Sequence, residues 1–134
     1  MTGETNLNKL LASLSPKLDP TEYVFCSVKG ELAEFIHCSP LATFTEDEGL
    51  TLVITRQTAE QNGLNFESHF KRISLMVHSS LNAVGLTAAV SAQLTKQGIS
   101  ANIIAGYYHD HIFVQAAKAD PALEALRNML TKDV

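Results

Sequence analysis

The chain has 134 residues, 46% of them hydrophobic and 18% charged, with a formal net charge of −4. That is an ordinary globular balance, enough for one good core or for two small subdomains, and it excludes disorder as the dominant state. Lys71-Arg72 is the only adjacent basic pair, so no basic stripe exists to track phosphates and nucleic acid is not the expected partner. No apolar run approaches the roughly 18–20 residues of a membrane-spanning helix, and MTGETNLNKL lacks the features of a signal peptide. A cytoplasmic protein with no membrane partner is expected.

In chain order, Leu7, Leu10, Leu11 and Leu14 share one face of a short helix over Asn6–Leu14. Pro16 and Asp19-Pro20 stop it and supply a connector. Tyr23–Val28 reads as a strand, and Glu31–Pro40 has room for a single helical turn. Leu41–Thr45, the turn EDEG and Leu50–Ile54 predict a β-hairpin bent at Gly49, followed by a short helix over Thr55–Asn62 and Gly63. The two cysteines, Cys26 and Cys38, are expected as free thiols, since a structural disulfide is unusual in a cytosolic protein.

The second half is patterned more clearly. Ile73, Leu75 and Val77 alternate with Arg72, Ser74, Met76 and His78 as a strand would. After a turn over Ser79–Asn82, Ala83–Gln97 places Leu86, Val90 and Leu94 on one helical stripe, and Gly98 is placed to close it. Ile99, Ala101, Ile103 and Ala105 form the next alternation, with Asn102 and Ile104 on the other face. A second strand carries Ile112, Val114 and Ala116 on one side. A last helix is predicted to open with Asp120 as its cap and Pro121 at its first position, burying Leu123, Leu126 and Leu130. Strand, hairpin and helix therefore occur twice. The first copy has too short a gap between strand and hairpin for a full helix.

The string VGLTAAVSAQLTKQGISANIIAGYYHDHIFV, with LSPKLDPTEYVFCSV and EDEGLTLVI, resembles a small family of bacterial proteins built from duplicated ACT-like domains. The resemblance runs from about Leu7 to Leu130. It implies an α+β fold of two tandem ferredoxin-like (ACT-like) βαββαβ-type subdomains, the first lacking a full first helix. Residues 1–65 are expected to form an N-terminal helix and incomplete ACT-like subdomain, and residues 66–134 the complete one. ACT domains typically bind amino acids and regulate an enzyme or transporter, so the resemblance implies a regulatory sensor of a small polar metabolite. Side-by-side sheet extension in ACT assemblies makes a homodimer the expected state.

The first candidate site is the loop Ser79, Ser80, Leu81, Asn82, Ala83, Val84, Gly85 and Leu86. It leads into a helix N-terminus, whose unpaired N–H groups and positive dipole end suit a carboxylate. The position resembles the ACT ligand loop, which usually runs Asp-x-Pro-Gly. Here Asn82 stands in the acid's place and Val84 in the proline's, while Gly85 keeps the glycine. A plain helix cap at Ser80 or Asn82, with Gly85 as a packing point, is the competing reading. Asn102, with Ile103 beside it, lies on the strand near which ACT ligands are held; it faces solvent or pairs with a neighbouring strand otherwise.

His109-Asp110-His111 invites a metal or acid–base reading, yet a lone His-x-His is a weak zinc signal and a fourth ligand is not evident. Histidines of a turn or interface are the simpler expectation, with Tyr107-Tyr108 packing on a partner or walling a pocket. No nucleophile motif or phosphate-cradling glycine loop occurs. No catalytic residue, metal or cofactor is therefore assigned, and no enzyme is expected. Two alternatives remain: a ligand-free dimeric module docking on an enzyme or transporter, and a metal-dependent enzyme using His109, Asp110 and His111.

Overall fold

The computed structural model describes residues 15–76 and 85–131. Six strands and four α-helices follow one another there: β1 (Pro16–Val28), α1 (Leu32–Phe35), β2 (Ala42–Glu46), β3 (Gly49–Thr55), α2 (Arg56–Gln61), β4 (His69–Leu75), α3 (Leu86–Lys96), β5 (Asn102–Ala105), β6 (Asp110–Gln115) and α4 (Ala119–Thr131). The order βαββα thus appears twice. Short 3₁₀ turns extend α1 over Ile36–Cys38 and precede α4 over Ala116–Lys118. The expected helix over Asn6–Leu14 and the end of the predicted strand at Val77 and His78 lie outside the described residues.

The chain divides into two compact units, Met1–Pro20 with Lys71–Val134, and Thr21–Phe70. The larger unit draws on both ends of the chain.

In the smaller unit the strand order is β2-β3-β1. The hairpin pairs Glu46 with Gly49 and Thr43 with Leu52, so only Asp47 and Glu48 form its tip. Antiparallel pairing of β1 with β3 runs from Tyr23↔Thr55 to Val28↔Leu50. Val24, Cys26, Leu50, Leu52 and Ile54 alternate inward and meet Cys38 and Ala59 in one core. Cys26 and Cys38 are both free and buried there; burial first, and then the neighbouring Cys38, push the Cys26 thiol pKa up. Helix α2 is capped by Thr55, whose Oγ1 accepts from the Thr58 N–H at 3.1 Å.

The larger unit has the order β1-β4-β6-β5. Ile73 and Leu75 of β4 and Ile112 and Val114 of β6 face Leu86, Val90 and Leu94 of α3 and Ala122 and Leu126 of α4. Buried Gln93 ties the two helices by donating from Nε2 to the Ala125 carbonyl at 3.0 Å. Helix α3 ends as its glycine predicts. Gly98 takes φ +70°, its N–H reaches the Thr95 carbonyl, and the Ile99 N–H reaches Leu94 at 3.0 Å. These are the two bonds of a Schellman motif, and buried Ile99 beside Leu94 supplies its apolar contact.

Three local expectations are corrected. Strand β1 begins at Pro16 rather than Tyr23. Pairing of β1 with β3 starts only at Tyr23, so Pro20 precedes that ladder, a place where a missing N–H is more easily tolerated than in mid-ladder. Helix α4 begins at Ala119, which puts Asp120 and Pro121 inside its first turn; proline is tolerated there because first-turn N–H groups have no helical partner. Ala105, expected beneath the helices, is exposed at the end of β5, whereas Ile103 packs against the core.

Candidate functional site

Ser79, Ser80, Leu81, Asn82, Ala83 and Val84 lie outside the described residues, so the loop enters the structure at its last two positions. Gly85 is the N-cap of α3, at φ 100° and ψ −20°. This left-handed conformation costs a residue with a Cβ but not glycine. Its carbonyl accepts the first intrahelical bond, from the Ala89 N–H at 2.9 Å. No side chain caps the helix among the described residues, and its first turn holds no acidic residue, whereas Lys96 sits in its last turn. The positive end of this dipole is therefore not offset by an acidic residue of its own first turn. Leu86 points the other way, buried at 3% exposure in the core, so it could offer a ligand only its backbone.

Asn102 and Ile103 open β5 on opposite faces. Ile103 packs on the core. Asn102 is exposed, pairs in register with Phe113, and reaches the Phe113 carbonyl with Nδ2 at 3.5 Å. That bond is long and leaves the amide's oxygen available.

The histidine cluster is not wholly in a turn. The Gly106 N–H bonds to the His109 carbonyl at 2.9 Å and closes the bend, so Asp110 already belongs to β6, opposite Ala105. Tyr107 and Tyr108 stand exposed at the tip, ring on edge at 5.0 Å. His111 points away from its core neighbour Ile112 and meets Ser74 Oγ through Nδ1 at 2.8 Å. Burial, then Arg72 and His109, lower the His111 pKa. Burial raises that of Asp110 against the pull of both histidines. Among the described residues no three His, Cys, Asp or Glu side chains are grouped to hold a metal ion.

Around His111 lies a cleft of about 400 Å³, lined by Lys17, Leu18, Asp19, Pro20, Arg72, Ser74, Met76, His109 and His111, all within the larger unit. Arg72 Nη2 meets Asp19 Oδ2 at 3.3 Å, both side chains about one quarter exposed. Ser74 is 8% exposed. His109 Nδ1 is buried with no hydrogen-bond partner among the described residues. The sequence pattern placed Arg72, Ser74 and Met76 on the face away from the core. It gave no sign that Lys17 and Asp19 would join them, because that segment reads as a connector until the strand is seen to start at Pro16.

Known proteins bear on this arrangement in three ways. The ACT-domain family models match residues 2–71 and 67–128. No curated protein sequence matches the chain. Among solved structures, a Vibrio cholerae protein of unknown function, described as a possible transport protein, is 53% identical, with a TM-score of 0.86 over 92% of this chain and 95% of that one. The regulatory subunit of aspartate kinase from Thermus thermophilus, in a ligand-free form, shares the fold at 10% identity, with a TM-score of 0.61 over 87% and 98%. A protein from Agrobacterium tumefaciens does so at 14% identity, with a TM-score of 0.68 over 87% and 89%. Two family matches that together cover almost the whole chain, and a half-identical relative of nearly equal length, place this protein in the ACT-domain family.

Proposed function

We propose that the protein is a regulatory sensor that binds a small polar metabolite, with amino acids as the first class to test. Residues 1–65 and 66–134 are its two sequence copies. The ligand would sit at the Ser79–Leu86 loop, its carboxylate against the N-terminus of α3 and its far end near Asn102 and Ile103. The observation that carries this reading is Gly85. A left-handed glycine heads an eleven-residue helix whose first turn contains no acid, which leaves backbone N–H groups approachable by an anion. Tandem ACT domains and a fold shared with regulatory subunits of aspartate kinase support a regulatory role over a catalytic one. The half-identical relative described as a possible transport protein makes a transporter one candidate for the regulated partner. A homodimer is part of the proposal, because β2 and β5 each come last in the order of the described strands, and strand edges favour association.

Thermal denaturation across a panel of the standard amino acids tests it. A ligand that binds only the folded chain should add about 2.7 kcal/mol at a hundredfold excess over its Kd, visible as a rise in Tm. A ligand-free docking module would show no response to any compound, and that outcome would remove the sensor reading.

A further inference from the structure

We propose that the cleft between the start of β1, β4 and the β5–β6 turn is a second binding site, selective for small monocarboxylates that carry a short apolar stem. Neither described residue of the Ser79–Leu86 loop, Gly85 or Leu86, is among the residues that line it.

The chemistry of the lining selects the class. Lys17 and Arg72 bring two positive charges and Asp19 one negative, so the cleft holds a single net positive charge that matches a monoanion. Lys17 forms no ion pair among the described residues. His109 lines the cleft, and its Nδ1 is buried without a hydrogen-bond partner among the described residues, a polar group that costs free energy while unpaired. Ser74 and His111 satisfy one another at 2.8 Å and form a fixed polar wall. Pro20 and Met76, with Leu18 whose side chain also packs against the core, add apolar surface to the lining, where a short hydrocarbon stem would be shielded from water. The volume of about 400 Å³ lies within the range of small-molecule pockets.

The same inventory argues against two neighbouring classes. A phosphate dianion would set its second charge against Asp19. An amino acid would place an ammonium beside Lys17 and Arg72, while the only carboxylate of the lining among the described residues, that of Asp19, is already paired with Arg72 at 3.3 Å. Deamination should therefore strengthen binding here, the reverse of what an amino-acid sensor loop requires.

The test is amide chemical-shift titration of the full chain with four probes: 4-methylpentanoate, L-leucine, 4-methylpentan-1-ol and inorganic phosphate. The expected result is saturable shifts at Leu18, Ser74, His109 and His111 with 4-methylpentanoate alone. Lys17→Glu, at an exposed position, should weaken that binding by about tenfold or more while the spectrum stays folded. His109→Phe, which keeps an aromatic ring and removes Nδ1, should also weaken it. Shifts confined to Gly85 and Leu86, equal binding of phosphate, or no saturable response to the carboxylate would each overturn the proposal. L-leucine acting only at Gly85 would leave the sensor reading standing while the cleft is tested by the carboxylate alone.

Discussion

Gly106 shows how closely the histidine turn is built. A Cβ added there would lie 2.8 Å from the His109 carbonyl oxygen and 3.2 Å from His111 Nε2. The first contact is with backbone that closes the same bend, so the turn must shift to admit it. Gly106→Ala should therefore destabilise the chain by about 1–3 kcal/mol, the range for overpacking, and chemical denaturation would measure it. A change within about 0.5 kcal/mol, typical of a surface site, would show that the bend yields freely.

His111 carries a pH dependence of definite sign. Its folded pKa lies below the ordinary 6.5, so the unfolded chain binds the proton more readily. Stability from this group is complete above about pH 6.5 and falls as the pH drops from there toward the lowered folded value. Asp110 acts with the opposite sign at lower pH, since its raised pKa favours the folded chain in acid and loses that contribution as the pH rises through the raised value. Comparing wild type with His111→Asn, whose amide reaches the position of Nδ1, isolates the histidine. The stability difference between the two should change between pH 7.5 and 5 in the direction that favours the variant in acid. A difference that is flat with pH would contradict the lowered pKa of this half-buried histidine.

At the scale of elements, α3 shows what the sequence makes legible. Leu86, Val90 and Leu94 recur at helical spacing and all three are core, and Gly98 closes the helix as its conformational freedom allows. Leu94 is fully buried, so Leu94→Ala should cost about 2–5 kcal/mol. Phe44→Ala, at a side chain 72% exposed on β2, should change stability by less than about 0.5 kcal/mol. Urea denaturation of both variants would check the contrast. Comparable losses would mean that Phe44 is covered, most simply by a second copy of the chain.

The alternation of Ile73 and Leu75 against Arg72 and Ser74 was readable for the same reason as α3, because a side-chain period reports which face is buried. What could not be read depends on partners distant in the chain. Proline ordinarily argues against a strand, and only the pairing register shows that Pro20 lies ahead of the ladder with β3. Without that strand, Lys17 and Asp19 look like linker residues and the cleft they share with Arg72 and His109 has no sequence signal. The conspicuous His-Asp-His string was equally ambiguous. Its middle residue belongs to the ladder, and one imidazole is engaged by a serine 37 positions away.

For the whole molecule, two compact units with separate cores fit a duplicated domain, and each unit ends on a strand with one pairing partner among the described residues. Such edges favour association, so sedimentation at several concentrations should reveal a dimer; a monomer throughout would contradict the proposed assembly. Among the described residues no helix is long and apolar enough to cross a membrane. The central claim is that an ACT-type sensor takes its ligand at the glycine-headed start of α3. Calorimetric titration of the standard amino acids into wild-type and Gly85→Ala protein tests it most directly. At least one amino acid should bind wild type and lose about tenfold or more in affinity for the variant; no binding to wild type, or binding that Gly85→Ala leaves untouched, would contradict it.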